Sequence, residues 1–153
     1  MTTANTLATL GNGPAFSAYM SANFLMTTAN TNYKLPFNTK VFDTNTNFDA
    51  TTNYRFTPTV SGYYQINLTT YTGSNPTPVY FASAIYKNGS QYASGSGAIN
   101  TTSALTLAIP ALIYFNGSTD YVEAYVTAGG NGYTVNGTSI VFSTFSGCLL
   151  KGA

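Results

Sequence analysis

Gly62-Tyr63-Tyr64-Gln65-Ile66-Asn67-Leu68-Thr69-Thr70-Tyr71 alternates with a period of two. Tyr64, Ile66 and Leu68 fall on one side, and Tyr63, Gln65, Asn67 and Thr69 on the other. Successive side chains of a strand point to opposite faces, so this pattern makes a strand with one buried face. Its polar face is built from amides and hydroxyls, with no charge.

The same reading extends outward along the chain. In Tyr121 to Ala128 the core face is expected to be Val122, Ala124 and Val126. Val79 to Tyr86 is apolar on both faces, which predicts a strand covered on both sides. Thr138 to Leu150 is the longest run and predicts a closing strand near the C-terminus. Asn88-Gly89, Asn116-Gly117 and Asn136-Gly137 sit between apolar runs, and Asn-Gly is the strongest short hairpin signal. Helical periodicity appears over no useful length. About eight to ten strands in one domain imply a two-sheet sandwich or jelly roll. Residues 1–13 are small and polar, end in Gly11-Asn12-Gly13, and are expected to form a flexible tether before a head domain over 14–153.

Composition narrows the function. The chain has 153 residues, 44% hydrophobic but only 6% charged, against about 25% charged in an average domain. Thr, Asn, Ser and Gly must keep it soluble, and with 13 Tyr and 10 Phe they favour strands and turns. Lys34, Lys40, Arg55, Lys87 and Lys151 against Asp43, Asp49, Asp120 and Glu123 leave a net charge of +1. No basic run matches a row of phosphates or an anionic membrane, so nucleic acid is not an expected partner. The apolar run Ala104 to Phe115 is interrupted by Pro110 and too short to span a bilayer, so membrane insertion is not expected. Residues 1–13 do not read as a secretory signal.

Several motifs have a specific order. Ala15-Phe16-Ser17-Ala18 opens the domain, followed by Lys40-Val41-Phe42-Asp43 and Asn47-Phe48-Asp49. Tyr54-Arg55-Phe56-Thr57-Pro58 and Ser61-Gly62-Tyr63-Tyr64 come next, then Ile85-Tyr86-Lys87-Asn88-Gly89. Gly117 and Asp120-Tyr121-Val122 precede a closing Ser143-Thr144-Phe145-Ser146-Gly147-Cys148-Leu149-Leu150. From about Pro14 to Leu150 this order resembles the globular head domain of complement component 1q, whose fold is shared with the tumour necrosis factor superfamily. The resemblance implies an all-β, ten-stranded jelly-roll sandwich of two antiparallel sheets that assembles as a compact homotrimer without catalytic machinery. It also implies that the sheet holding Gly62 to Tyr71 faces the threefold axis, with Tyr63, Gln65 and Asn67 buried between subunits and Leu107 nearby. The chain departs from vertebrate members at Thr57, often Cys there, and at Gly117-Ser118-Thr119-Asp120, where they carry Gly-Asp. Its Thr/Asn/Gly-rich, charge-poor loops look like the versions at the tips of phage and bacterial fibres.

The chemistry available is sparse. Without His the commonest general base and metal ligand are missing, and neither a Ser-His-Asp nor a Cys-His arrangement can be built from this chain. Cys148 reads as a small buried apolar residue. Asp43 and Asp49 read as turn caps. Asp120 and Glu123, three apart, would point to opposite faces of a strand. A paired-carboxylate hydrolase is not indicated, and a calcium site would want more carboxylates than this chain can cluster. No catalytic residue, cofactor or metal is expected. Sequons at Asn67, Asn88, Asn100, Asn116 and Asn136 follow from Asn/Thr/Ser richness, and those at Asn88, Asn116 and Asn136 begin Asn-Gly pairs.

The expected function is a non-enzymatic trimeric head on a virion or extracellular surface. Its expected partners are itself and a host-surface glycan or protein receptor. A purely structural cap of a fibre and a secreted signalling ligand are the alternatives. For recognition, the glycine-rich segment 129–137 offers Tyr133 to stack on a sugar ring, with Asn131 and Asn136 to bond hydroxyls. The competing reading folds Tyr133 back onto its own sheet. Loops at Thr72 to Pro78 and Tyr92 to Ser103 are further candidates by position.

Overall fold

A computed structural model describes residues 13–73, 79–99 and 104–153. The expected tether lies outside the described residues except for Gly13. So do residues 74–78 of one candidate loop, and residues 100–103 of the other with the Asn100 sequon.

Two antiparallel sheets face each other, as the alternating pattern requires. The first contains β1 (Ala15–Tyr19), β2 (Phe24–Met26), β4 (Thr39–Asp43), β7 (Gly62–Thr72), β10 (Leu105–Phe115), β12 (Tyr133–Val135) and β13 (Thr144–Gly152). The second contains β3 (Tyr33–Lys34), β5 (Phe48–Asp49), β6 (Arg55–Phe56), β8 (Val79–Lys87), β9 (Ser90–Ile99) and β11 (Val122–Ala128). Strand β7 sits centrally, with β10 along one edge and β13 along the other, and β1 then β4 continue beyond β13. In the second sheet β8 lies between β9 and β11. The connections cross repeatedly between sheets, giving the expected jelly roll.

The core is the set of inward-facing residues of both sheets. Tyr64, Ile66 and Leu68 of β7 are fully buried, and so are Val122 and Ala124, with Val126 nearly so. Phe16 stacks between Phe56 at 4.4 Å and Phe48 at 4.8 Å, and meets Phe145 edge-on. Gly147 leaves room for neighbours of its own sheet: a Cβ there would sit 2.5 Å from Ile66 Cδ1 and 3.0 Å from Phe16 Cε1. Where the sheets carry hydroxyls inward they satisfy one another: Thr70 Oγ1 and Ser83 Oγ lie 2.6 Å apart in a buried pair.

Several expectations need correction. Of the three Asn-Gly pairs read as hairpin signals, only Asn88-Gly89 makes a tight hairpin, joining β8 to β9 with both residues at positive φ. Asn116-Gly117 crosses between sheets, its turn held by Asn116 Oδ1 accepting from the amides of Ser118, Thr119 and Asp120. Asn136-Gly137 leaves β12 for β13, which are separated by β7. The closing strand begins at Thr144, not Thr138, because Ser139 to Val141 turn back on themselves, with Phe142 N donating to Ser139 O. Residues 92–99, expected in a loop, belong to strand β9. Gly95 and Gly97 are strand residues there because β10 packs across them. A Cβ on Gly95 would meet Ile109 Cδ1 at 2.6 Å, and one on Gly97 Leu105 Cδ2 at 3.1 Å.

Candidate functional site

Two surfaces come into question, the outer faces of the two sheets. On the first, register places rows of outward residues side by side. Leu112, Gln65, Cys148 and Ala15 form one row, and Pro110, Asn67, Ser146, Ser17 and Phe42 the next. Tyr114 lies opposite Tyr63, their rings 5.4 Å apart. Strands β1, β7 and β10 contain no charged residue, and β13 carries only Lys151. Leu112 is 54% exposed, and Tyr63 and Tyr114 are also exposed. This is a broad face with an uncharged middle, with Tyr63, Tyr114 and Leu112 towards one end beside Lys151, and Phe42 exposed at its β4 edge.

Of the residues assigned in advance to a subunit contact, Tyr63, Gln65 and Asn67 share this face. Leu107 does not. It lies opposite core-facing Thr70 and packs partly buried against the core, one strand position out of phase. Pro110 and Leu112 occupy the outward positions instead. Cys148 is a second correction: it is exposed, because Gly147 and Leu149 take the inward phase of β13.

The other outer face carries a groove of about 340 Å³. Along β8 the outward residues run Tyr80, Ala82, Ala84, Tyr86, so two small residues lie between two large ones. Ser96 and Ser94 of β9 stand opposite Ala82 and Ala84, and Thr127 and Tyr125 of β11 flank the other side. The low floor between tall tyrosines is the groove, with Asn32 and Gln91 also at its rim. Tyr125 is braced against Tyr86, ring centroids 4.2 Å apart, and Tyr86 Oη accepts from Asn32 Nδ2 at 3.2 Å. The Tyr125 hydroxyl donates to Glu123 Oε2, while Glu123 Oε1 pairs with Lys34 at 2.8 Å. Burial, reinforced by the Glu123 charge, raises the pKa of Tyr125 and keeps it a neutral donor. The expectation that Val79 to Tyr86 is covered on both sides is therefore wrong, since Tyr80 is 46% exposed.

The glycine-rich segment is organised differently from the sugar-stacking reading. Tyr133 is a strand residue, 4% exposed and part of the core, its ring packed beside Gly130. A ring so placed offers no face to a sugar, so the fold-back reading describes it. Asn131 Oδ1 accepts from Ala29 N at 2.6 Å and ties two loops together. Asn136 is held through its backbone, its N–H on Tyr71 O and its C=O accepting from Ser143 Oγ. Tyr133 is thus buried, while Asn131 and Asn136 hold neighbouring backbone.

All four acids have structural partners. Asp43 accepts from Asn47 N and Phe48 N and pairs with Lys40. Asp49 accepts the amides of Thr51, Thr52 and Asn53; the bonds from Thr52 and Thr51 hold its carboxyl well below the usual range. Asp120 lies before β11, not within it as the opposite-face expectation assumed. Burial pushes it up, but hydrogen bonds from Asn88 and Lys87 outweigh that and lower it. Asp49 and Glu123 do share a row, on either side of Arg55. Asp49 is nevertheless too acidic to donate a proton near neutrality, and Glu123 is buried and paired with Lys34. Among the described residues no three of His, Cys, Asp and Glu come together as a metal set would need.

No protein-family model matches the chain, and no curated protein matches it in sequence. Solved structures do match in fold. The globular domain of zebrafish complement 1qA superposes with a TM-score of 0.61 at 19% identity, covering 92% of this chain and 99% of that one. Murine APRIL gives 0.67 at 6% identity, covering 90% and 99%. PRD1 vertex protein P5 gives 0.61 at 18% identity, covering 92% and 99%. The chain therefore has the jelly-roll fold that its motifs resemble.

Proposed function

We propose that this chain is a non-enzymatic homotrimeric head that assembles through the outer face of its first sheet and binds another surface with what assembly leaves open. The observation that carries the reading is the uncharged middle of the face around Asn67, with Tyr63, Leu112 and Tyr114 exposed together and Lys151 as the one cation beside them. Such a contiguous patch is unusual on a monomer. A second copy of the same face matches it in polarity, and the resemblance to the complement 1q head supports a threefold arrangement. The likeness to a vertex protein supports a place on a virion or an extracellular surface, with a glycan or protein receptor as partner. The carboxylates support a non-enzymatic role, since each is engaged in holding a turn or an ion pair.

Sedimentation of the whole chain at micromolar concentration should show a trimer. Asn67 lies mid-face and exposed, so Asn67→Lys should leave the strand intact and place unpaired charges at the contact. The expected product is a folded monomer with an unchanged circular dichroism spectrum. A monomeric wild type, or a Lys variant that stays trimeric, would overturn the reading.

A further inference from the structure

From the groove on the outer face of the second sheet we infer a binding site for a neutral oligosaccharide. The inference deepens the reading of the domain as a binding head by naming the site and the chemical class of its ligand.

Three properties of the groove select the ligand. Its volume, about 340 Å³, lies at the lower end of small-molecule sites, which run about 300–1,000 Å³. Its described lining has no charged side chain: Asn32, Gln91, Ser94, Ser96 and Thr127 supply neutral donors and acceptors. Tyr80 and Tyr125 supply aromatic surface at its sides. Amides and hydroxyls beside tyrosine rings match a molecule with hydroxyls around its edge and C–H groups on its faces. A sugar ring is such a molecule. Acidic sugars are disfavoured because the nearby cation, Lys34, is already committed to Glu123. A cationic ligand is disfavoured for the same reason, since Glu123 is buried and paired.

The groove is also built in advance. Tyr125 is held by Tyr86 and Glu123, and Tyr86 by Asn32, so part of the wall need not be ordered on binding. The floor belongs to paired strands, a more rigid support than a loop. The site faces away from the sheet proposed for assembly, so a trimer presents three copies outward and avidity compensates for one weak site.

The test uses the full chain and a panel of immobilised oligosaccharides ending in glucose, galactose, N-acetylglucosamine or N-acetylgalactosamine, with sialylated and uronic-acid counterparts. At least one neutral member should be retained. Tyr80→Ala should weaken its binding about tenfold or more by removing the stacking surface. Ala82→Phe, which fills the floor, should abolish it. Both positions are on the outer face, and an unchanged melting temperature verifies the fold of each variant. Should either fail to fold, Ser96→Gln crowds the same floor from β9 and carries the same expectation. Retention of none of the neutral probes, retention only of acidic ones, or full binding by the folded floor variants would overturn the assignment. Sedimentation of the same samples separates the two readings: groove-dependent binding by a monomer would sink the assembly and leave the site, and a trimer without it would do the reverse.

Discussion

Tyr133 shows how a single side chain can be read two ways until its neighbours are known. Its glycine-rich surroundings suit an exposed sugar platform, yet the ring lies in the core beside Gly130. Tyr133→Ala should therefore behave as a core truncation and lower stability by about 3–5 kcal/mol, the range for losing a large aromatic. Chemical denaturation checks this, and a change under about 0.5 kcal/mol, the size of an ordinary surface substitution, would contradict it. Asp49 gives a pH-dependent counterpart. Its folded pKa is depressed by backbone hydrogen bonds, so its contribution is complete above the unfolded value, about 4, and fades as pH falls below it. Denaturant midpoints should decline from about pH 4 downwards. Asp49→Asn should be less stable at neutral pH and show a shallower decline, Asp120 supplying a remainder of the same sign.

At the scale of elements, the turns differ in what their glycines do. Gly89 has φ +79 in the β8–β9 hairpin, and a Cβ there would meet only Tyr121 Oη at 3.7 Å. Gly89→Ala should cost about 1–2 kcal/mol, the backbone penalty alone. Gly117 has φ +73 in the crossing between sheets, where a Cβ would also overlap the backbone of Ser61 and stand 2.9 Å from Val60 C. Gly117→Ala should be the more damaging of the two in the same denaturation experiment; equal losses would mean that this crossing relaxes freely. Strand β9 carries a related lesson. Ser94-Gly95-Ser96-Gly97 looks like loop composition, but its glycines clear room for β10 and its serines floor the groove. The signal that could have revealed the groove lies in Tyr80, Ala82, Ala84 and Tyr86. Their sizes alternate large, small, small, large on one face, a pattern that hydrophobicity alone conceals.

In the proposed trimer one face serves assembly and the opposite one recognition, and a reporter sits on the first. Cys148 is exposed in the single chain and occupies the row of Leu112 and Gln65. In the assembled wild type a maleimide should modify Cys148 slowly. In Asn67→Lys, with the face released, labelling should speed up by about tenfold or more, as access to the thiolate controls the reaction. Equal rates would place the subunit contact elsewhere.

The strand class, the inward residues of β7 and β11, and the motif order that resembles the complement 1q head were all legible in the sequence. Each rests on period-two alternation or on local turn chemistry, which a linear reading captures. The pairing of distant strands could not be read that way. It decided that Leu107 faces the core while Leu112 faces out, that Cys148 is exposed, and that two of three Asn-Gly pairs cross between strands that are not neighbours. It also assembled the groove from β8, β9 and β11, whose lining residues reach from Asn32 to Thr127. The physical reason is that alternation tells which residues share a face of one strand. Whether that face meets a core, a second subunit or open solvent depends on which strands the fold sets beside and above it.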